Sequence, residues 1–155
     1  MESRFRLRGY RAGDVDAMVR LDEVCFSAAF RFDRRSMRRF AEARGAMVVV
    51  AETLDDRMGG FVIVQLEGAG AERYGYVVTI DVAPELRRVG LGGVLLGEAE
   101  QKVKAAGAGR MGLHVAVDNE AAIRFYERLG YACVGVAKRF YSEAGVDGLV
   151  YLKEL

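Results

Sequence analysis

From Arg4 to Gly9 the chain alternates. Phe5, Leu7 and Gly9 interleave with Arg4, Arg6 and Arg8, the period-two pattern of a strand. Asp14 stands where it can cap a helix predicted to run to about Phe26, with Val15, Met18, Leu21 and Cys25 on one face. Residues 26–32 form an apolar connection, and Asp33 can cap a second helix ending at Gly45. Arg34, Arg35, Arg38, Arg39 and Arg44 make that helix basic, as a solvated face or as a patch for an acidic substrate. Two strands, 47–52 and 60–65, flank the polar turn Asp55-Asp56-Arg57. A turn at 67–72 leads to a strand over 74–82. A helix from Leu91 to about Ala106 follows, its apolar face Leu91, Leu95, Ala99, Val103 and Ala106, and Gly107 and Gly109 end it. Residues 111–117 read as a strand. Asp118 and Asn119 open a helix over 120–129 that Gly130 closes. Strands at 131–136 and 149–152, separated by a connection over 137–148, finish the chain. The order β-α-α-β-β-β-α-β-α-β-β is mixed α/β, with about seven strands and four helices. It lacks the strict alternation of a doubly wound sheet.

Composition narrows the partners. A length of 155 residues fits one domain, and 52% hydrophobic with 29% charged residues excludes a disordered chain. A net charge of +1 gives no broad field for nucleic acid or membrane, and no stretch has the length of a membrane span. Cys25 and Cys133 are far apart and outside any CxxC pattern, so both are expected as free thiols in a reducing, cytoplasmic setting. With His114 the lone histidine, no metal site is expected. The start of the chain lacks the apolar run of a signal peptide.

The candidate chemistry begins where the strand over 74–82 ends. Val82-Ala-Pro-Glu-Leu-Arg-Arg-Val-Gly-Leu-Gly-Gly93 holds the only proline, two arginines and three glycines, and it leads straight into a helix. Free N–H groups and the positive end of the helix dipole, with Arg87 and Arg88 beside them, suit a phosphate or pyrophosphate. The P-loop lysine and the third glycine of a dinucleotide fingerprint are both missing. Taken alone, the stretch also fits an ordinary glycine-rich turn from strand to helix.

Arg87-x-x-Gly90-x-Gly92 after a strand resembles the coenzyme A pyrophosphate loop of the GNAT N-acetyltransferases. A second stretch, Leu113-His-Val-Ala-Val-Asp-Asn119 through Phe125-Tyr126 to Gly130-Tyr131, resembles the other signature of that family. The resemblance covers essentially the whole chain. It implies a sheet splayed open between the strand ending at Val82 and the strand of His114, with acetyl-coenzyme A in the gap. The pantetheine would pair with the backbone around Asp81, Val82 and Ala83 and touch Asn119. The pyrophosphate would sit on Arg88, Val89, Gly90, Leu91, Gly92 and Gly93. Tyr126 would protonate the departing thiolate; read by itself it is equally a core tyrosine, sharing a face with Ala122 and Leu129. Neither cysteine lies in the two signatures, and no covalent enzyme intermediate is needed.

The end of the chain, Lys138-Arg-Phe-Tyr141 followed by Asp147-Gly-Leu-Val-Tyr-Leu-Lys153, is similar to protein N-terminal acetyltransferases, both the ribosomal-protein (RimI-like) and the Ard-like branches. Phe140 stands where the first of a tyrosine pair is usual, and Tyr141 would help bind the peptide backbone. Phe26 and Phe30 would line the pocket for the first side chains, although Ser27 replaces a usual proline. His114 departs from the glutamate of the ribosomal-protein branch. It matches a eukaryotic branch preferring Met-initiated termini, which also has a tyrosine at the position of Tyr76. An α-amine near pKa 7.7–8.0 lies within reach of a histidine base near 6.5, whereas lysine at about 10.4 does not without strong desolvation. A protein or peptide N-terminus is therefore the expected acceptor. A small amine or lysine acceptor, a non-catalytic coenzyme A-binding module and an interaction domain using the basic helix are the alternatives.

Overall fold

A computed structural model describes residues 4–155. Seven strands form one mixed sheet: β1 (Phe5–Arg8), β2 (Ala46–Thr53), β3 (Met58–Glu67), β4 (Tyr74–Val82), β5 (Arg110–Ala116), β6 (Ala132–Tyr141) and β7 (Val146–Glu154). Their order across the sheet is β1-β2-β3-β4-β5-β7-β6. The helices are α1 (Val15–Cys25), α2 (Arg34–Ala41), α3 (Leu91–Ala105) and α4 (Glu120–Arg128), so the element order is the one the periodicities predict.

The sheet buries both faces, and the two sets of buried positions are distinct. On one face Leu91, Leu95, Leu96, Ala99 and Val103 of α3 cover Val49, Val62, Val64, Val77 and Met111. On the other, Met18 and Leu21 of α1 and Met37 and Ala41 of α2 cover Val48, Val50, Phe61 and Ile63. Each fully buried large side chain contributes about 1.5–3 kcal/mol of transfer free energy. An extra residue at Val78 shifts the register of β4 against β3, where Ile63 faces Thr79 and Val64 faces Val77. Because side chains alternate along a strand, the bulge changes which residues of β4 meet α1. Val77, Ile80 and Val82 lie on the α3 side, and Val78 on the α1 side.

β4 and β5 run parallel and pair only at Gly75↔Met111 and Tyr76↔Gly112. Gly75 permits this approach: a Cβ there would sit 2.7 Å from Met111 Sδ and 2.8 Å from a Val103 methyl. Past Tyr76 the strands part, β4 continuing against β3 to Val82 and β5 against β7 to Ala116. This is the splayed gap that the resemblance implies.

Three local expectations change. Asp14 precedes α1 but makes no side-chain cap; its carboxylate takes both Arg8 Nη atoms at 2.8 Å and the Arg11 N–H at 2.7 Å. A guanidinium fork is the stronger partner for a nearly buried carboxylate. Asp33 does cap α2, accepting from the Ser36 N–H at 2.7 Å, but the helix stops at Ala41, short of Gly45. The predicted connection over 137–148 is instead a continuation of the last two strands into a hairpin. Arg139, at φ 50°, forms a bulge there, and its N–H donates to Asp147 Oδ1 at 2.8 Å. The basic helix has solvated ion pairs, Arg34 with Asp16 and Arg38 with Glu42.

Candidate functional site

The cofactor-side wall is built from main chain. β4 passes through Ala83 and a 3-10 turn, Pro84–Val89, to Gly90 at φ 80°, where α3 begins. The first helical bond across that start is from the Val94 N–H to the Gly90 carbonyl, which leaves the amides of Leu91, Gly92 and Gly93 unpaired within the helix. A Cβ on Gly90 would meet nothing within 4 Å, and one on Gly93 would find its nearest neighbour at 3.7 Å, so neither glycine is crowded by the fold. On Gly92 a Cβ would press the Phe125 ring at 3.0 Å. A run of unpaired amides at the positive end of a helix, with exposed Arg88 beside it, fits an anionic phosphate group.

The other predicted cofactor contacts divide. The Ala83 N–H is taken by the Gly59 carbonyl at 2.9 Å. By the alternation of an extended chain, the Val82 N–H then faces the opposite side, into the gap. The Val82 carbonyl accepts from Arg87 Nε at 3.1 Å and Cys25 Sγ at 3.4 Å, so Arg87 braces the strand end rather than standing free in the loop. Asn119 caps α4 through Oδ1, which accepts from the Ala122 N–H at 3.2 Å and leaves the amide NH2 available.

Across the gap stands an aromatic group. Tyr76 Oη lies 2.9 Å from His114 Nδ1, joining the last paired residue of β4 to β5. Phe140 stacks on His114 with ring centroids 3.9 Å apart and planes 3° from parallel. The bulge at Arg139 turns Phe140 onto the histidine, and Gly148 makes room, since a Cβ there would lie 2.9 Å from the Phe140 Cβ. Phe30, in a short 3-10 turn, packs on Tyr141 at 5.2 Å. Phe26 lies half-buried just beyond α1. Burial lowers the His114 pKa, so the ring is neutral near pH 7. Burial, then the charge of Tyr74, pushes Tyr76 up to about 12. Burial, then Tyr76, does the same to Tyr141, up to about 12. Tyr126, on α4 and 8% exposed, is raised further by burial and then by Tyr141, Asp81 and Tyr76. Tyr126, Tyr76 and Tyr141 thus share one electrostatic neighbourhood and keep their protons at neutral pH.

Three side chains outside the predicted set belong to the same place. Cys25, which lies in neither signature, sits at the end of β4, its thiol 3.4 Å from the Val82 carbonyl. Burial, and then Asp81, raises its pKa and keeps it a thiol. Asp22 of α1 and Asp81 of β4 are both fully buried. Asp22 carries a sequence signal. Val15, Met18, Asp22 and Cys25 follow helical spacing, which puts the acid on the face that turns inward.

Residues 15–131 match the model of the family described as Acetyltransferase (GNAT) family. The chain is 36% identical over 101 residues to the N-terminal acetyltransferase B complex catalytic subunit of Arabidopsis thaliana, a match covering 63% of this chain and 58% of that protein. It is 32% identical over 146 residues to an uncharacterised protein of Mycobacterium leprae, covering 91% of this chain but 38% of that one. The chain therefore spans less than two thirds of the length of these two relatives. The crystal structure of the ribosomal-protein-S18-alanine N-acetyltransferase from Escherichia coli superposes with a TM-score of 0.81 at 20% identity, covering 97% of this chain and 93% of that one, a likeness of fold.

Proposed function

Since the chain belongs to the GNAT acetyltransferase family, we propose that it transfers an acetyl group from acetyl-coenzyme A directly to the α-amino group of a protein or peptide N-terminus. The observation that carries this reading is the Tyr76–His114 contact of 2.9 Å at the apex of the gap, under the stacked Phe140 ring. A neutral imidazole held by a protonated tyrosine is a base matched to an α-amine, whose pKa of about 7.7–8.0 needs little help to fall neutral.

Acetyl-coenzyme A supplies a thioester. The amides of Leu91, Gly92 and Gly93, with Val89, Gly90 and Arg88, hold its pyrophosphate, and the free amide of Asn119 holds the pantetheine arm, since the Ala83 N–H and carbonyl are already paired with Gly59 and Leu86. Arg87 acts through the Val82 carbonyl that it braces. The Val82 N–H, turned into the gap, is the donor for the oxygen that gains charge during transfer. Tyr76 takes the amine proton on its oxygen and passes its own to His114 Nδ1. Tyr126, protonated at neutral pH, gives its proton to the sulfur as the carbon–sulfur bond breaks. Phe26, Phe30 and Tyr141 receive the first residues of the acceptor, a role supported by the Phe30–Tyr141 contact. The relationship to the Arabidopsis N-terminal acetyltransferase subunit supports the choice of acceptor.

The test offers acetyl-coenzyme A with one of two peptide sets, free N-termini without lysine or blocked N-termini with lysine, and reads the mass of each product. Acetylation of the free N-termini is expected. Transfer confined to the lysine peptides, or to neither set, overturns the assignment.

A further inference from the structure

Asp22 meets Asp81 where α1 packs on the end of β4: Cys25, one turn after Asp22, lies 3.4 Å from the carbonyl of Val82, the residue after Asp81, and the two carboxyl groups are within hydrogen-bonding reach of each other. Both are 0% exposed. Asp22 Oδ2 accepts from the Phe32 N–H at 2.8 Å, and Asp81 Oδ1 accepts from Thr79 Oγ1 at 2.6 Å. The remaining oxygens, Asp22 Oδ1 and Asp81 Oδ2, have no donor among the described residues. Two touching carboxylates in an apolar interior cannot both be ionised, and their bare oxygens must be paired. One proton between these oxygens meets both requirements and leaves a single net charge on the pair.

What the pair joins gives it a role. Asp81 lies next to Val82, where β4 turns toward the cofactor loop. Asp22 lies on α1, and through the Phe32 amide it also holds the far end of residues 26–32, the segment carrying Phe26 and Phe30. Arg31 closes the segment on its own start through the Phe26 carbonyl at 2.7 Å and ties it to α1 through the Glu23 carbonyl at 3.0 Å. We propose that Asp22 and Asp81 are positioning residues for the acceptor: the proton they share latches residues 26–32 to the end of β4, holding the acceptor pocket in register with the thioester.

The acceptor role rests on the function proposed above; the latch itself does not. The groups around the pair are the Thr79 hydroxyl and Arg87 on the side of β4 and its following turn, Cys25 on α1 and Tyr126 on α4. Burial, then the hydrogen bond and charge of Asp22, raises Asp81 well above the usual carboxyl range, against the opposing effects of Thr79 and Arg87. The latched form therefore keeps a proton that the opened form releases. Opening becomes easier as pH rises from the ordinary carboxyl range toward the raised value, by up to about tenfold per pH unit. An asparagine at either position supplies the hydrogen from its own amide and removes that dependence.

The experiment measures hydrogen exchange at the Phe32 amide of the full chain by NMR from about pH 4.5, just above the ordinary carboxyl range, to about pH 8, corrected for the intrinsic rate. In the wild type protection should fall by up to about tenfold per unit. In Asp81→Asn it should stay level, and in Asp81→Ala it should be low throughout. Asp22→Asn serves if the first variant does not fold. Equal slopes in wild type and the asparagine variant overturn the latch, whether or not the protein acetylates peptides. Acceptor KM should rise with pH in the wild type, stay flat in Asp81→Asn and be raised in Asp81→Ala. A level KM in the wild type beside the exchange slope overturns the positioning role alone.

Discussion

The two walls of the gap are built on different principles. The cofactor side, from Val82 to the first turn of α3, uses main-chain amides, a left-handed glycine and a helix start, all within one contiguous stretch. The acceptor side joins α1, residues 26–32, the β4–β5 seam and the β6–β7 hairpin through side chains far apart in sequence: Tyr76 on His114, His114 on Phe140, Phe30 on Tyr141. A phosphate looks alike in every coenzyme, so one backbone shape can serve it. An acceptor varies, and a wall of side chains can change without disturbing the other.

If the walls are separable, substitutions on each should move different constants. The largest effect is expected where the walls meet. Tyr126→Phe should lower kcat by about 100-fold or more, the range of a lost general acid, with the calorimetric Kd for acetyl-coenzyme A nearly unchanged. Next, His114→Ala should lower kcat/KM for the acceptor by about 100-fold and change the pH profile. The wild-type rate should fall on the acid side as His114 takes up a proton, below the ordinary histidine range because burial depresses its pKa, and that limb should vanish in the variant. Gly90→Ala should weaken acetyl-coenzyme A by about tenfold in calorimetry, since left-handed backbone is disfavoured for alanine by about 1–2 kcal/mol, while leaving acceptor KM alone. The smallest effect belongs to Phe140→Leu. Loss of the stack on His114, worth about 0.5–1.5 kcal/mol, should reduce acceptor kcat/KM several-fold with no change in coenzyme binding. If Phe140→Leu weakened the coenzyme as much as Gly90→Ala, the separation of the walls would fail.

The same contrast decides what could be read from the chain alone. The Gly90 loop, the α3 stripe and the element order rest on local spacing and φ preferences, which neighbouring residues encode. The Tyr76–His114 pairing was available only through resemblance, because residues 38 positions apart meet by sheet topology. The long hairpin is not legible in the chain because Lys138 and Arg139 look like loop residues, whereas a bulge and Asp147 carry the strands past them. Asp81 gave no sign of its partner. Its neighbours alternate like any strand, and the bulge at Val78 that decides its face is a property of the pairing with β3.

The seam at Gly75 and Tyr76 has one more implication. Tyr76 is both the final rung joining the two halves of the sheet and the bearer of the hydroxyl that reaches His114. The fork in the architecture and the proton route therefore share a single residue. A variant that zipped β4 to β5 one step farther would close the coenzyme's berth and pull the phenol off its imidazole together, so evolution of this scaffold toward other acceptors has room to move at every position of the fork except its crotch.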